Sequence, residues 1–195
     1  VELVSSYIEG HLEILEEPEF HSALRKLSSF SGEAFRGIQF DDEKIFDQYQ
    51  VGKTTVWDRY SPFSKLKEVA EEFTSNKGGT YSILFHTKLK SSVDLTPIAE
   101  KIFAGAKGPS GEDFDFSYQK EVLSKPGTKF AVRRVIRLGN RADVWLEEVA
   151  GGHYVEANHA AHLRSLMRGE MAAYAEWDEA KHPRWASISR GAASH

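Results

Sequence analysis

A chain of 195 residues with 41% hydrophobic positions has the length and the apolar content of one compact domain. Its 25 basic and 29 acidic residues give a formal net charge of −4, which excludes a global basic footprint for nucleic acid but leaves room for a local basic stripe. The absence of cysteine excludes a disulfide framework, a thiolate metal site and a cysteine nucleophile, and no run approaches the ~20 apolar residues of a membrane span.

The first half of the chain has the pattern of short helices separated by strands. Apolar residues at helical spacing predict helices over 3–15, 19–27, 62–73 and 97–103. A strand is predicted over 34–40, because Gly37 disfavours a helix there. A second strand, with both faces partly buried, is predicted over 80–89.

Glycine and proline mark the turns of the second half. The stretch 104–115 is rich in glycine and predicts a long loop, which in a compact domain usually has a function. Strands are predicted over 121–123 and 130–138, joined by a Lys-Pro-Gly-Thr turn at 125–128. Gly139 and Asn140 then reverse the chain into a hairpin strand over 142–149.

Gly151 and Gly152 mark a predicted boundary between two parts of the chain. Residues 1–150 are expected to form the main domain, including the N-terminal helices. Residues 151–195 are expected to form a helical C-terminal extension, because apolar residues return at helical spacing over 155–180. The start at Val1 rather than methionine suggests a domain cut from a longer protein.

Two patterns resemble a phosphate-binding loop and a histidine metal site, but each lacks a residue that its motif requires. The run from Val51 to Thr55 ends like a phosphate-binding loop, but Asp47 stands where that motif needs its first glycine. Of the eight histidines, His159 and His162 lie three apart on a predicted helical face, without an HExxH pattern or a carboxylate ligand at useful spacing. We therefore expect no nucleoside triphosphate site and no metal site.

Three separated groups of residues carry the functional signal. The first is Arg36-Gly37 on a predicted strand, the second is Tyr-Ser-Pro-Phe-Ser at 60–64, and the third is Gln-Lys-Glu at 119–121, with a Pro-Gly-Thr turn behind it. Each group alone has an ordinary interpretation: a salt-bridge partner, a helix N-cap or a solvated strand residue. Their occurrence together and in this order is the informative observation.

In this order the groups resemble the Arg-Ser-Glu class of mono-ADP-ribosyltransferases, which includes bacterial toxins and effectors. The resemblance covers roughly residues 19–148 and includes a leucine-arginine pair at the end of a helix, here Leu24-Arg25. Members show an aromatic-Ser-Thr-Ser segment where this chain has Tyr60 to Ser64, and we favour Ser61 over Ser64 as the functional serine. The resemblance implies an α+β fold: two packed, mainly antiparallel sheets around an NAD cleft.

The resemblance also implies that NAD⁺ is the substrate, and it gives each residue of the site a role. Glu121 is the expected catalytic residue, since a carboxylate can bind the ribose 2′-hydroxyl and stabilise an oxocarbenium-like centre. Ser61 would hold that carboxylate, and Arg36 would pair with the pyrophosphate. Gly37 would let the backbone approach the nicotinamide amide. The remaining residues expected at the NAD⁺ site are Tyr60, Phe63 and Ser64.

Gln119 is the residue expected to recognise the acceptor, which is the group that receives ADP-ribose. Alternation along a strand puts Gln119 and Glu121 on one face. In the family a glutamate at the first position accompanies arginine as acceptor, whereas Gln119 suits an amide side chain or a nucleobase. The acceptor is therefore expected to be an Asn or Gln side chain of a target protein, or RNA or DNA. A basic stripe from Lys120 to Arg141 hints at nucleic acid, although a solvated hairpin face explains it slightly better.

The same resemblance suggests a biological setting and leaves alternatives open. We expect a bacterial toxin or effector domain, secreted and acting in the cytoplasm of a target cell, with a cognate immunity protein as a partner. The alternatives are an NAD glycohydrolase and a catalytically degenerate partner-binding module on the same fold. An intact Arg36, Ser61 and Glu121 argue against the degenerate module.

Overall fold

Eleven helices and strands follow one another in this computed structural model, which describes Val4, Tyr7 and residues 18–75, 78–104 and 119–154. In chain order they are α1 (Pro18–Leu24), β1 (Ser29–Phe40), a 3₁₀ helix (Glu43–Gln48), β2 (Thr54–Trp57), β3 (Ser61–Ser64), α2 (Lys67–Glu72), β4 (Tyr81–Asp94), α3 (Thr96–Phe103), β5 (Glu121–Ser124), β6 (Thr128–Leu138) and β7 (Arg141–Ala150). The predicted features of 155–195, the glycine-rich loop beyond Ala104, and most of the predicted helix at 3–15 lie outside the described residues.

The segment after Tyr60 is a strand where the sequence predicted the beginning of a helix. Residues Ser61–Ser64 form β3, and α2 begins only at Lys67. Pairing is the reason, because every residue of β3 lies opposite a residue of β5, and these long-range hydrogen bonds outweigh the local helical spacing. The hydroxyl of Ser64 then accepts a hydrogen bond from the backbone N–H of Leu66 at 3.0 Å, just ahead of α2.

The seven strands form one hydrogen-bonded sheet that folds back on itself. Their order is β1-β3-β5-β4-β7-β6-β2, with a second pairing between β1 and β4. Among the described strands only β4 and β7 run parallel, over Ser82 to Lys88 of β4. This arrangement agrees with the predicted α+β fold of packed, mainly antiparallel sheets.

Two hydrophobic clusters lie on opposite sides of the β3–β5 pair. The larger cluster fills the inside of the folded sheet and includes Phe63 of β3, Val122 of β5 and Phe130 of β6. The smaller cluster joins Phe20 of α1 to Leu123 of β5. Alternation explains the division, since Val122 and Leu123 are neighbours on one strand and point to opposite faces.

A buried carboxylate fixes the irregular part of the long strand β4. Glu148 of β7 is buried and accepts hydrogen bonds from the backbone N–H groups of Lys90 and Ser91 and from the Ser91 hydroxyl. The register between β1 and β4 shifts at the same level, between Phe30 and Gly32. Glu148 therefore stabilises the point where β4 leaves β7 and continues towards β5.

The residues that follow β7 pack against the domain rather than leaving it. The backbone N–H of Gly152 donates to the Thr128 hydroxyl (3.1 Å), and that of His153 donates to the Pro126 carbonyl (2.9 Å). The ring of Tyr154 packs against the smaller cluster, beneath the cations of Arg25 and Lys125. None of the helices in the described part of the chain is long and apolar enough to cross a membrane.

Candidate functional site

Three adjacent strands bring the separated sequence groups to one level of the sheet. Phe35 of β1 lies opposite Ser64 of β3, and Ser64 lies opposite Glu121 of β5. Arg36 follows Phe35 directly and its charge acts on the Glu121 carboxyl, so the predicted arginine, one of the two candidate serines and the predicted catalytic glutamate lie close together. Residues far apart in sequence meet here because β3 lies between β1 and β5.

The two candidate serines occupy different places on β3. Ser64 is the cross-strand partner of Glu121, and such partners present their side chains on the same face. Ser61 pairs with Ser124, three positions further along, and its hydroxyl donates to the Arg59 carbonyl at 3.3 Å. Both serines are buried. The register therefore places Ser64 opposite Glu121, whereas the sequence favoured Ser61; which of the two serines acts on the substrate stays a prediction.

A strained turn leads into β5, the strand that begins with Glu121. Lys120 adopts a left-handed backbone conformation with φ 45°, which is uncommon for a residue with a side chain. Gln119 belongs to a helical turn before β5, so strand alternation does not relate it to Glu121 as the sequence suggested. The Gln119 carbonyl accepts a hydrogen bond from the Ser64 hydroxyl, and the Lys120 carbonyl accepts one from the Lys65 N–H at 3.1 Å.

The carboxyl group of Glu121 is in an unusual electrostatic environment. Burial raises the pKa of Glu121 from 4.5 to about 7, although the Arg36 guanidinium acts in the opposite direction. The Glu121 carbonyl accepts from the backbone N–H of Leu95 (3.1 Å) and from the Thr96 hydroxyl (3.4 Å), which fixes the backbone. A partly desolvated carboxylate next to a guanidinium is a group whose ionisation responds to whatever binds beside it.

Arg36 is held by contacts on two sides. One guanidinium nitrogen donates to the Pro62 carbonyl at 3.0 Å. The guanidinium carbon lies 5.7 Å from the centre of the Trp57 ring, within the range of a cation–π interaction. Arg36 therefore connects β1 to both β2 and β3, next to Glu121.

Three other predicted site residues are packing residues in the structure. A Cβ atom on Gly37 would lie 2.0 Å from the Ala70 carbonyl oxygen, so the missing side chain lets α2 pack against β1. Tyr60 is buried and hydrogen-bonds His21 at 3.2 Å. Phe63 is buried in the larger cluster. Direct contacts of Gly37, Tyr60 and Phe63 with a nucleotide stay predictions.

Trp57 and Tyr49 lie near Arg36, but the sequence analysis did not identify either of them as a site residue. The Trp57 ring is partly exposed and stacks on Phe63, with centroids 5.5 Å apart and planes 11° from parallel. Burial raises the pKa of the Tyr49 phenol, opposed by a hydrogen bond from Trp57 and by the charges of Arg36 and Arg59. The strand-forming run Thr54-Thr55-Val56-Trp57 was the available signal for β2.

The rejected motifs and the basic stripe also have structural explanations. Gly52 (φ 87°) makes a turn that leads into strand β2, whereas a phosphate-binding loop leads into a helix. Arg133, Arg137 and Arg141 of the stripe form ion pairs with Glu147, Glu43 and Asp143 respectively. Within the described ranges no three His, Asp or Glu side chains form a group that could hold a metal, and His159 and His162 lie outside those ranges.

Comparison with known proteins identifies the fold. No protein-family model matches the sequence, and no curated protein sequence matches it significantly. Among solved structures, the ADP-ribosyltransferase Vis in complex with its M6 inhibitor superposes with a TM-score of 0.60 at 18% identity, over 80% of this chain and 74% of that chain.

Two further structures give the same result. Vis in complex with agmatine has a TM-score of 0.52 at 19% identity, over 80% of this chain and 71% of that chain. The Vis toxin from Vibrio splendidus has a TM-score of 0.52 at 20% identity, over 76% of this chain and 67% of that chain. The chain thus has an ADP-ribosyltransferase-like fold, as the sequence predicted.

Proposed function

We propose that this chain is an NAD⁺-dependent mono-ADP-ribosyltransferase in which Glu121 is the catalytic residue. The observation that carries the proposal is the row formed by Phe35, Ser64 and Glu121, with Arg36 directly beside it. The ADP-ribosyltransferase-like fold supports the same reaction class. A degenerate binding module is disfavoured, because the arginine, a serine and the glutamate are all present and adjacent.

In the proposed reaction the bond between C1′ of the ribose and the nicotinamide nitrogen breaks. Nicotinamide leaves with the bonding electron pair, and an oxocarbenium-like centre develops on the ribose. The ionised carboxylate of Glu121 stabilises that charge and accepts a hydrogen bond from the ribose 2′-hydroxyl. The acceptor then forms a bond to C1′ and loses a proton.

Arg36 and Ser64 have supporting roles in this proposal. Arg36 pairs with the pyrophosphate, for which its planar guanidinium is well suited. Ser64 fixes the turn ahead of Glu121, because its hydroxyl donates to the Gln119 carbonyl. Ser61 has a structural role in the β3–β5 pair, since its carbonyl accepts from the Ser124 hydroxyl at 3.4 Å.

Replacement of Glu121 tests the reaction directly. Glu121→Gln keeps the shape of the side chain but removes its charge, so NAD⁺ turnover should fall by roughly 10²–10³-fold with little change in NAD⁺ affinity. Turnover is measured by nicotinamide release, and affinity by calorimetry. Glu68→Gln, an exposed position on α2, is the matched control and should behave as the wild type. Normal turnover by a folded Glu121→Gln variant would exclude Glu121 as the catalytic residue.

The acceptor is proposed to be other than arginine, because Gln119 carries no charge. A neutral amide side chain matches the donor and acceptor groups of an Asn or Gln side chain or of a nucleobase. A protein acceptor is favoured over RNA or DNA, because three arginines of the basic stripe are paired with carboxylates. Vis, by contrast, has been captured with agmatine, a guanidine compound.

Labelled NAD⁺ identifies the acceptor and tests the role of Gln119. After incubation with a bacterial lysate, protease-sensitive label on Asn or Gln side chains is expected. Gln119→Ala should lose this transfer while keeping NAD⁺ hydrolysis, since water needs no positioning by an amide. Nuclease-sensitive label would show that the acceptor is a nucleic acid rather than a protein. NAD⁺ hydrolysis without transfer would indicate an NAD glycohydrolase. Label on arginine would contradict the role of Gln119.

The proposal extends to the biological setting. The chain would be the enzymatic domain of a secreted bacterial effector that acts in the cytoplasm of a target cell. A cognate immunity protein would protect the producer. The absence of cysteine suits a reducing compartment, and Vis, with the same fold, is a toxin.

A further inference from the structure

We infer that Trp57 and Tyr49 are positioning residues for Arg36, and that they hold its guanidinium at the place where it acts on the substrate and on Glu121. The inference rests on the proposed function for what Arg36 binds. The positioning itself rests on contacts within the described residues, which follow.

The indole ring of Trp57 is fixed by aromatic side chains from three other strands. Phe63 of β3 lies parallel to it at 5.5 Å, Phe85 of β4 meets it edge-on at 5.2 Å, and Phe130 of β6 is tilted against it at 4.9 Å. Phe63, Phe85 and Phe130 are all buried. Trp57 therefore has little rotational freedom, although part of its ring remains exposed.

Tyr49 adds a directional contact to the same ring. Its ring packs against Phe85 with centroids 4.9 Å apart, which anchors it in the larger cluster. Hydrogen bonding from Trp57 lowers the pKa of the Tyr49 phenol, against the larger effect of burial, which places the phenol oxygen beside the indole. An indole N–H that has an acceptor favours one ring orientation, so Tyr49 contributes to how the ring of Trp57 is turned.

Arg36 lies against this fixed ring. The guanidinium carbon is 5.7 Å from the ring centre, and the Pro62 carbonyl holds one nitrogen at 3.0 Å. A long arginine side chain loses considerable freedom when it binds a ligand, and contacts that order it beforehand reduce that cost. The stack of Phe63, Trp57 and Arg36 thus prepares the guanidinium for an anionic ligand.

The same contacts affect the ionisation of Glu121. The charged group that lowers the pKa of Glu121 is Arg36, against the larger effect of burial. The nearby cations on neighbouring segments, Lys65 and Lys120, are paired with Asp94 and Glu100 respectively. Movement of Arg36 away from Glu121 should therefore raise the pKa of Glu121 above its wild-type value.

The test compares Trp57→Leu and Trp57→Phe with a matched tryptophan elsewhere. Trp57→Leu should raise the KM for NAD⁺ roughly threefold to tenfold with a smaller change in kcat, because a cation–π contact to a binding residue is lost. Trp57→Phe keeps an aromatic face and should restore most of the affinity. The control is Trp145→Leu on β7, whose ring has a similar contact with Arg134 (4.9 Å) and none with the site residues.

A second measurement is independent of activity. The pKa of Glu121, followed by carbon NMR, should rise in Trp57→Leu and, by less, in Tyr49→Phe, and should stay unchanged in Trp145→Leu. An unchanged pKa and an unchanged KM in Tyr49→Phe and Trp57→Leu would overturn the inference. If Trp57→Leu does not fold, Tyr49→Phe decides. A wild-type protein that does not turn over NAD⁺ would refute the proposed function, while the Glu121 titration would still decide the positioning roles.

Discussion

At the scale of single residues, the most unusual group is the carboxyl of Glu121. Its pKa is raised to about 7 by burial, and only the ionised form can stabilise a developing positive charge. We therefore expect kcat/KM for NAD⁺ to rise with pH up to about 7 and to fall about tenfold per pH unit below it. A profile that is flat between pH 5 and pH 8 would contradict this expectation.

The same pKa predicts how stability depends on pH. Between pH 4.5 and about 7 the unfolded chain loses the Glu121 proton while the folded chain keeps it, so the folded state becomes less stable as the pH rises. The loss is complete above pH 7 and absent below pH 4.5. Glu121→Gln, which stays neutral, should therefore be more stable than the wild type by about 3 kcal/mol at pH 8. At pH 4.5 the difference should nearly vanish, and denaturant unfolding at both pH values measures it.

The sequence singled out Arg36 and Glu121 as candidates because both stand in short, ordered motifs, and the structure brings them close enough for the Arg36 charge to act on the Glu121 carboxyl. It favoured Ser61, whereas Ser64 lies opposite Glu121, because the serine at that place depends on the register between β3 and β5, which no local pattern encodes. It also missed Trp57, which is next to Arg36 only through the fold. These residues required pairings between strands far apart in sequence.

At the scale of elements, α2 and β1 approach each other through Gly37. A Cβ atom at this position would lie 2.0 Å from the Ala70 carbonyl and 3.0 Å from the Cβ atom of Phe73. Gly37→Ala should therefore push α2 away and destabilise the protein by about 1–3 kcal/mol, with a higher KM for NAD⁺ because Arg36 is adjacent.

The control for this prediction is Glu33→Ala, an exposed position on the same strand. It should change the free energy of unfolding by less than about 0.5 kcal/mol. Thermal or denaturant unfolding of both variants makes the comparison. A Gly37→Ala protein as stable as the Glu33→Ala protein would mean that α2 adjusts without cost.

The sequence predicted the elements that have their own local signals, such as the turn at Pro126-Gly127, where Gly127 has φ 80°. It predicted a helix over the whole of 62–73 because helical spacing continues through α2, and it missed the pairing that makes Ser61–Ser64 a strand. Strands whose stability comes from long-range partners are the elements that local patterns describe least well.

At the scale of the whole molecule, the residues that follow the predicted boundary at Gly151 and Gly152 pack against the strands before it. Gly152 and His153 hydrogen-bond the turn before β6, and Tyr154 packs against the smaller cluster. A chain ending at residue 150 should therefore be less stable than one ending at residue 154, by about 2 kcal/mol.

Tyr154→Ala in the longer chain should reproduce much of this loss, since the Tyr154 ring packs against the smaller cluster. Melting temperatures of the two truncated chains and of the point variant measure the effect, with a difference of several degrees expected. Equal melting temperatures for the chains ending at 150 and 154 would place the boundary where the sequence predicted it.

The long strand β4 is also expected to contain the amide hydrogens that exchange most slowly with solvent. It hydrogen-bonds β1 on one side and β7 on the other over Ser82 to Lys88, and its last residues pair with β5. Successive amide hydrogens of this stretch bond to β1 or to β7, so exposing all of them requires both flanking pairings to break, and they should be among the slowest to exchange, at the rate of global unfolding. The strands that carry Arg36 and Glu121 both pair with β4, so we expect their amide hydrogens to exchange together, as one cooperative unit.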